Sequence, residues 1–169
     1  MSKITHIDEK GTLTHFDEKG DTRMVDVGEK PETLRTAIAQ GHVTAKPETL
    51  KLISEQQVKK GNVLEVARLA GYMAAKKTSE LVPLCHPLNL TSIRVDVSIV
   101  EDKVEIEAEV QTVGRTGVEM EALTAVSVAG LTVYDMCKAV DREMCISDVK
   151  LVKKTGGTSG DFNLSAGKR

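Results

Sequence analysis

Acidic and basic side chains share one stripe of an otherwise apolar stretch, residues 118–141. At about 100° per residue from Glu121, Thr124, Val128, Thr132 and Asp135 fall within roughly 60° of it, with Lys138 and Arg142 on the same side. Asp135 and Lys138 stand three residues apart and can touch. A carboxylate beside an ammonium in a semi-buried site shifts the pKa of both, which suits general acid–base chemistry. On spacing alone, an exposed helix face with one ion pair fits as well.

Two cationic, glycine-bearing segments could cradle an anion. Val113-Gly114-Arg115-Thr116-Gly117 leads into the stretch just described, where free N–H groups and the helix dipole favour negative charge. A plain strand-to-helix turn accounts for the same residues. Lys153-Lys154-Thr155-Gly156-Gly157-Thr158-Ser159-Gly160 offers two cations on a bendable backbone, yet matches neither the P-loop nor the dinucleotide fingerprint. A disordered C-terminus is the alternative there.

Leu81-Val82-Pro83-Leu84-Cys85-His86-Pro87-Leu88 is too apolar for a solvated loop, and its prolines exclude a regular helix. A buried crossover that fixes Cys85 and His86 is expected. Adjacent residues usually point apart, which argues against a Cys–His nucleophile pair. His86 as a hydrogen-bonding or proton-transferring group is the better functional reading, beside a purely structural histidine.

The elements that must hold these residues follow from periodicity. Residues 23–27 read as a short strand, and 34–45 lean towards strand through alternating Thr36, Ile38 and Gln40. Pro47 opens a helix that Gly61 closes, and a second helix covers about 62–77. In the latter, Ala67, Ala70, Gly71, Ala74 and Ala75 allow close backbone approach. Ile93, Val95, Val97 and Ile99, then Val104, Ile106, Ala108 and Val110, alternate with polar residues about Glu101-Asp102-Lys103. That pattern is an antiparallel hairpin joined by a three-residue turn. A long helix over 118–141 and a strand over 144–152 complete an α+β fold, an antiparallel sheet with helices on one face in a ferredoxin-like layout.

The 169 residues suit one domain that can bury roughly 70% of its unfolded surface. Residues 1–22 are expected to be a tail, 23–162 the catalytic domain and 163–169 a second tail. The N-terminal tail carries a duplicated Thr-His-x-Asp-Glu-Lys-Gly at 5–11 and 14–20, whose His6 and His15 read as solvated rather than metal-binding. A net charge of −2 and only four aromatic residues argue against a nucleic-acid partner. Three cysteines without CxxC spacing fit a reducing, cytoplasmic setting, and no apolar run is long enough to span a membrane.

Met24-Val25-Asp26-Val27, Pro83-Leu84-Cys85-His86-Pro87-Leu88, Gly117-Val118-Glu119-Met120-Glu121-Ala122-Leu123-Thr124, Tyr134-Asp135-Met136-Cys137-Lys138-Ala139-Val140 and Lys154-Thr155-Gly156-Gly157-Thr158-Ser159-Gly160-Asp161-Phe162 occur in that order. Together they resemble the cyclic pyranopterin monophosphate synthase family of molybdenum cofactor biosynthesis, over about residues 14–162. The copy at 5–11 is the one departure and touches no motif. The resemblance implies a lyase that rearranges the cyclised GTP intermediate 3′,8-cyclo-7,8-dihydro-GTP into a cyclic pyranopterin phosphate and releases diphosphate. It implies a homohexamer, a trimer of dimers with sites between subunits. It also implies no redox cofactor; no carboxylate cluster in the sequence suits a resident metal, and Mg²⁺ can accompany the substrate phosphates.

Residue by residue, the resemblance makes Asp135 and Lys138 a central acid–base pair and adds Lys60 and His86 to the catalytic set. Leu84, Cys85, His86, Met120, Glu121, Arg35, Arg115 and Lys154 become substrate-binding. Glu121 could accept two N–H bonds from a guanine-derived amine edge, while the cations suit a triphosphate. The competing reading is a non-catalytic nucleotide-sensing module of the same α+β class.

Overall fold

A computed structural model of the chain describes residues 21–157 and 160–164, so both copies of the N-terminal repeat lie outside the described residues. β1 (Thr33–Thr44) alternates strictly, burying Arg35, Ala37, Ala39, Gly41 and Val43 on one face. β2 (Leu90–Val100) and β3 (Lys103–Gly114) form the expected hairpin. Its turn is Glu101-Asp102 rather than three residues, because Lys103 already pairs with Val100 and Glu101 adopts φ 53°. β4 (Cys145–Thr155) and the short β5 (Phe162–Asn163) extend the sheet.

The strand order is β2-β3-β1-β4-β5, with every neighbouring pair antiparallel. Helices α1 (Pro47–Ser54), α2 (Val63–Ala75) and α3 (Thr78–Leu81) separate β1 from β2, and α4 (Glu119–Cys137) separates β3 from β4. With β4 beside β1 and β3 between β1 and β2, the connectivity is the ferredoxin-like βαββαβ arrangement.

Small residues set how closely the layers meet. A Cβ on Gly41 would stand 2.8 Å from Val126 of α4, and one on Gly71 of α2 would stand 3.2 Å from the Ala125 carbonyl. The small-residue helix is therefore an internal seam: Ala67, Gly71, Ala74 and Ala75 are buried. Under α4, Val104, Ile106 and Val110 of β3 are almost fully enclosed, each burial worth about 1.5–3 kcal/mol.

Three local expectations need correction. Residues 23–27 are irregular: the Val25 carbonyl bonds the His86 ring and the Val27 carbonyl accepts from the Lys30 N–H of a turn. The helix opened by Pro47 stops at Ser54 instead of reaching Gly61. Gln56 adopts φ 54°, the Gln57 N–H reaches back to the Leu52 carbonyl and the Gln56 N–H to that of Ile53. This is a Schellman motif closed without glycine. Residues 81–88 are not buried throughout: Leu81, Pro83 and Pro87 are exposed, while Val82, Leu84, Cys85, His86 and Leu88 turn inward onto a cavity.

Candidate active site

A cavity of about 460 Å³ opens where the N-terminal end of α4, the end of β4 and the 82–88 crossover meet. All eight residues expected to bind substrate line it: Arg35, Leu84, Cys85, His86, Arg115, Met120, Glu121 and Lys154. β1 carries Arg35 on its buried face, where Nε donates to the Gly114 carbonyl at 3.2 Å and Nη2 to the Arg115 carbonyl at 3.3 Å. Arg35 thereby locks the Gly-Arg-Thr-Gly turn to the sheet. Gly156 and Gly157 adopt φ of 90° and 85° and fold against Leu34 and Arg35, where a side chain would collide. The glycine-rich segment after β4 thus forms part of the cavity wall at Gly156, with Gly157 packed on Arg35 behind it.

Glu121 is 4% exposed, and burial pushes its carboxyl from 4.5 up to about 7, with the nearby Glu119 adding to the rise. Near neutral pH it can hold or surrender a proton. Burial also raises the Cys85 thiol, as does the Glu121 charge, so Cys85 is a thiol rather than a reactive thiolate. Lys154 Nζ meets Glu119 Oε1 at 3.0 Å. Glu119 and Lys30 line the cavity without having been singled out by sequence reasoning. Glu119 lay inside a quoted motif, and its place in the first turn of α4 beside Arg115 was the available signal.

The other catalytic candidates lie elsewhere. Lys138 Nζ contacts Asp135 Oδ1 at 2.6 Å, and Lys60 Nζ contacts Oδ2 at 2.8 Å. Lys60 also donates to the Asp135 backbone carbonyl at 2.9 Å. Hydrogen bonds from Lys138 and then Lys60 hold the Asp135 carboxyl down at about 2, and the same contact raises Lys138. The cluster therefore offers two ammonium groups oriented by one permanent carboxylate. It is open to solvent, with all three side chains about half exposed.

Asp141 joins the start of α1 to the turn after α4. It is 1% exposed, and its Oδ2 accepts from the Lys46 N–H at 2.9 Å and the Thr49 hydroxyl at 3.2 Å, capping α1. The chain segment that leads to Lys60 is thus tied to the turn after α4. The backbone N–H of Lys46 is the main cause holding the Asp141 carboxyl below its ordinary value.

Glu121 and Asp135 share the stripe read from the sequence, but α4 separates them by 14 residues, about 21 Å along its axis. Within one chain the cavity and the Lys60–Asp135–Lys138 cluster are therefore two places, and only His86 of the catalytic set lines the cavity.

Residues 24–157 match the MoaC family. The chain belongs to that family. Cyclic pyranopterin monophosphate synthases from Parvibaculum lavamentivorans and Thermomicrobium roseum are 62% and 63% identical over 164 residues. The matches cover 95% and 96% of this chain and 96% and 93% of those proteins. Cyclic pyranopterin monophosphate synthase 1 of Mycobacterium bovis is 58% identical, over 96% of this chain and 91% of its own length. The MoaC match spans both the cavity and the Lys60–Asp135–Lys138 cluster. No helix among the described residues is long and apolar enough to cross a membrane.

Proposed function

We propose that this MoaC-family chain converts the cyclised GTP intermediate to cyclic pyranopterin monophosphate with release of diphosphate, as a cytoplasmic lyase. The observation that carries the reading is a single cavity combining Arg35, Arg115 and Lys154 with the buried carboxyl of Glu121, in a chain about 60% identical to enzymes of that name. The cations match the charge of a triphosphate and stabilise a departing diphosphate. Glu121, once ionised, matches the paired N–H donors of a guanine-derived ring. His86 and the side-chain amines of Lys60 and Lys138 handle protons, and Asp135 holds both lysines in place. Any Mg²⁺ travels with the phosphates and is held largely by substrate oxygens.

In this reading the site is completed between subunits of a homo-oligomer, a hexamer built as a trimer of dimers. The cavity of one copy receives the Lys60–Asp135–Lys138 cluster of another. The separation along α4 supports this, as do the exposed Val66, Leu69 and Met73 of α2 and Leu131 of α4.

The test follows diphosphate and pterin product together. Wild-type protein makes both, an outcome that also rejects the nucleotide-sensing alternative. Glu121→Gln and Asp135→Ala variants are each inactive, and co-refolded in equal amounts they regain about a quarter of wild-type turnover, since that fraction of shared sites is intact. Absence of product from wild type overturns the activity, and absence of recovery overturns the shared site.

A further inference from the structure

We infer that residues 24–28 form a positioning strap that holds the His86 ring with its proton on Nε2, leaving Nδ1 as the nitrogen that works on the substrate. This rests on the proposed function for the identity of the substrate, but the strap itself stands on hydrogen bonding. His86 Nε2 lies 2.9 Å from the Val25 carbonyl oxygen. A carbonyl only accepts, so Nε2 must carry the hydrogen, and the lone pair of the neutral ring then sits on Nδ1.

The segment is built to stay in place. Its Val25 and Val27 side chains are half-buried in the cavity wall. Asp26 Oδ1 accepts from the Gly28 N–H at 2.8 Å, which bends the chain back. Arg115 Nη1 donates to the Gly28 carbonyl, and Arg115 Nε stands 3.6 Å from Glu32. The strap therefore ties together two residues of the cavity, His86 and Arg115. It also explains why a strand-like sequence forms no strand.

The chemical consequence is specific. His86 cannot accept a proton at Nε2, because that nitrogen already donates. A proton taken from the substrate arrives at Nδ1, giving an imidazolium whose second N–H remains bonded to the Val25 carbonyl. Returning that proton from Nδ1 restores the neutral ring, so the cycle balances.

The decisive experiment compares two amides and reads the tautomer directly. A glutamine amide nitrogen reaches the place of Nε2, and an asparagine amide nitrogen reaches only that of Nδ1. His86→Gln is expected to keep hydrogen-exchange protection over 24–30 and a KM within about threefold of wild type, while kcat falls about 100-fold or more. His86→Asn is expected to lose the protection and raise KM. Nitrogen-15 NMR of the ligand-free protein is expected to show His86 protonated at Nε2 and bare at Nδ1. A ring protonated at Nδ1 instead overturns the proposal, as does a His86→Gln variant with wild-type kcat. The NMR result needs no turnover, so an inactive wild-type protein with the Nε2 tautomer would sink the proposed reaction and leave the strap standing.

Discussion

Glutamine at position 121 should make the protein's stability less sensitive to pH, with a size set by burial. The Glu121 carboxyl is 4% exposed and binds its proton up to about pH 7, against 4.5 for an ordinary glutamate. The folded state holds this proton more tightly than the unfolded chain. The favourable share from Glu121 is therefore complete below pH 4.5 and is lost as pH rises through about 7. A shift from 4.5 to about 7 corresponds to about 3 kcal/mol between those limits. Glu121→Gln keeps the shape and removes the ionisation, so this slope should vanish. At pH 8 the variant should gain about 3 kcal/mol on wild type relative to the comparison at pH 4.5, or about 6–12 °C in Tm for a domain of this size. Urea and thermal melts from pH 4.5 to 8.5, at one protein concentration, measure it. A difference between the two proteins that does not change with pH would refute the reasoning, because it would mean that Glu121 ionises without cost where it sits.

Two further outcomes are expected. Lys138→Ala should raise the Asp135 carboxyl from about 2 more than Lys60→Ala does, because the Lys138 hydrogen bond is the larger cause; carbon-13 NMR titration reads both, and equal or absent shifts would contradict the geometry. Gly157→Ala should push the Arg35 guanidinium off the Gly114 and Arg115 carbonyls and raise KM about tenfold, whereas Gly160→Ala, strained at a φ of 75° like Gly157 but with nothing within 4 Å of its Cβ, should leave KM unchanged. Steady-state kinetics separate the two, and matching KM values would show that Gly157 does not shape the site.

Local pattern and motif chemistry made most of the cavity legible. Period-two alternation settles β2 and β3 because a sheet with one covered face sorts every second side chain, and the order of elements implies the four central strands. The motifs quoted from 83–88, 117–124 and the start of 154–162 supply residues of the cavity lining, because their side-chain types already stood out as polar or cationic groups beside glycine and proline. Position along the axis was not legible. A helical projection shows that Glu121 and Asp135 share an angle but discards the rise per residue, so it hides that the two lie about 21 Å apart along α4 within one chain. Gln56 ending α1 in place of Gly61 was hidden for a different reason, since glutamine carries little local preference for the left-handed conformation that tertiary packing imposes. The same holds for residues 24–28. Their alternation reads as strand, yet two of their carbonyls bond His86 and Arg115, residues about 60 and 90 positions away that only the folded chain brings near. Residue types and spacing thus determined what chemistry the protein carries. Tertiary structure decided which groups meet and which nitrogen of His86 is free, because both depend on contacts between segments remote in sequence.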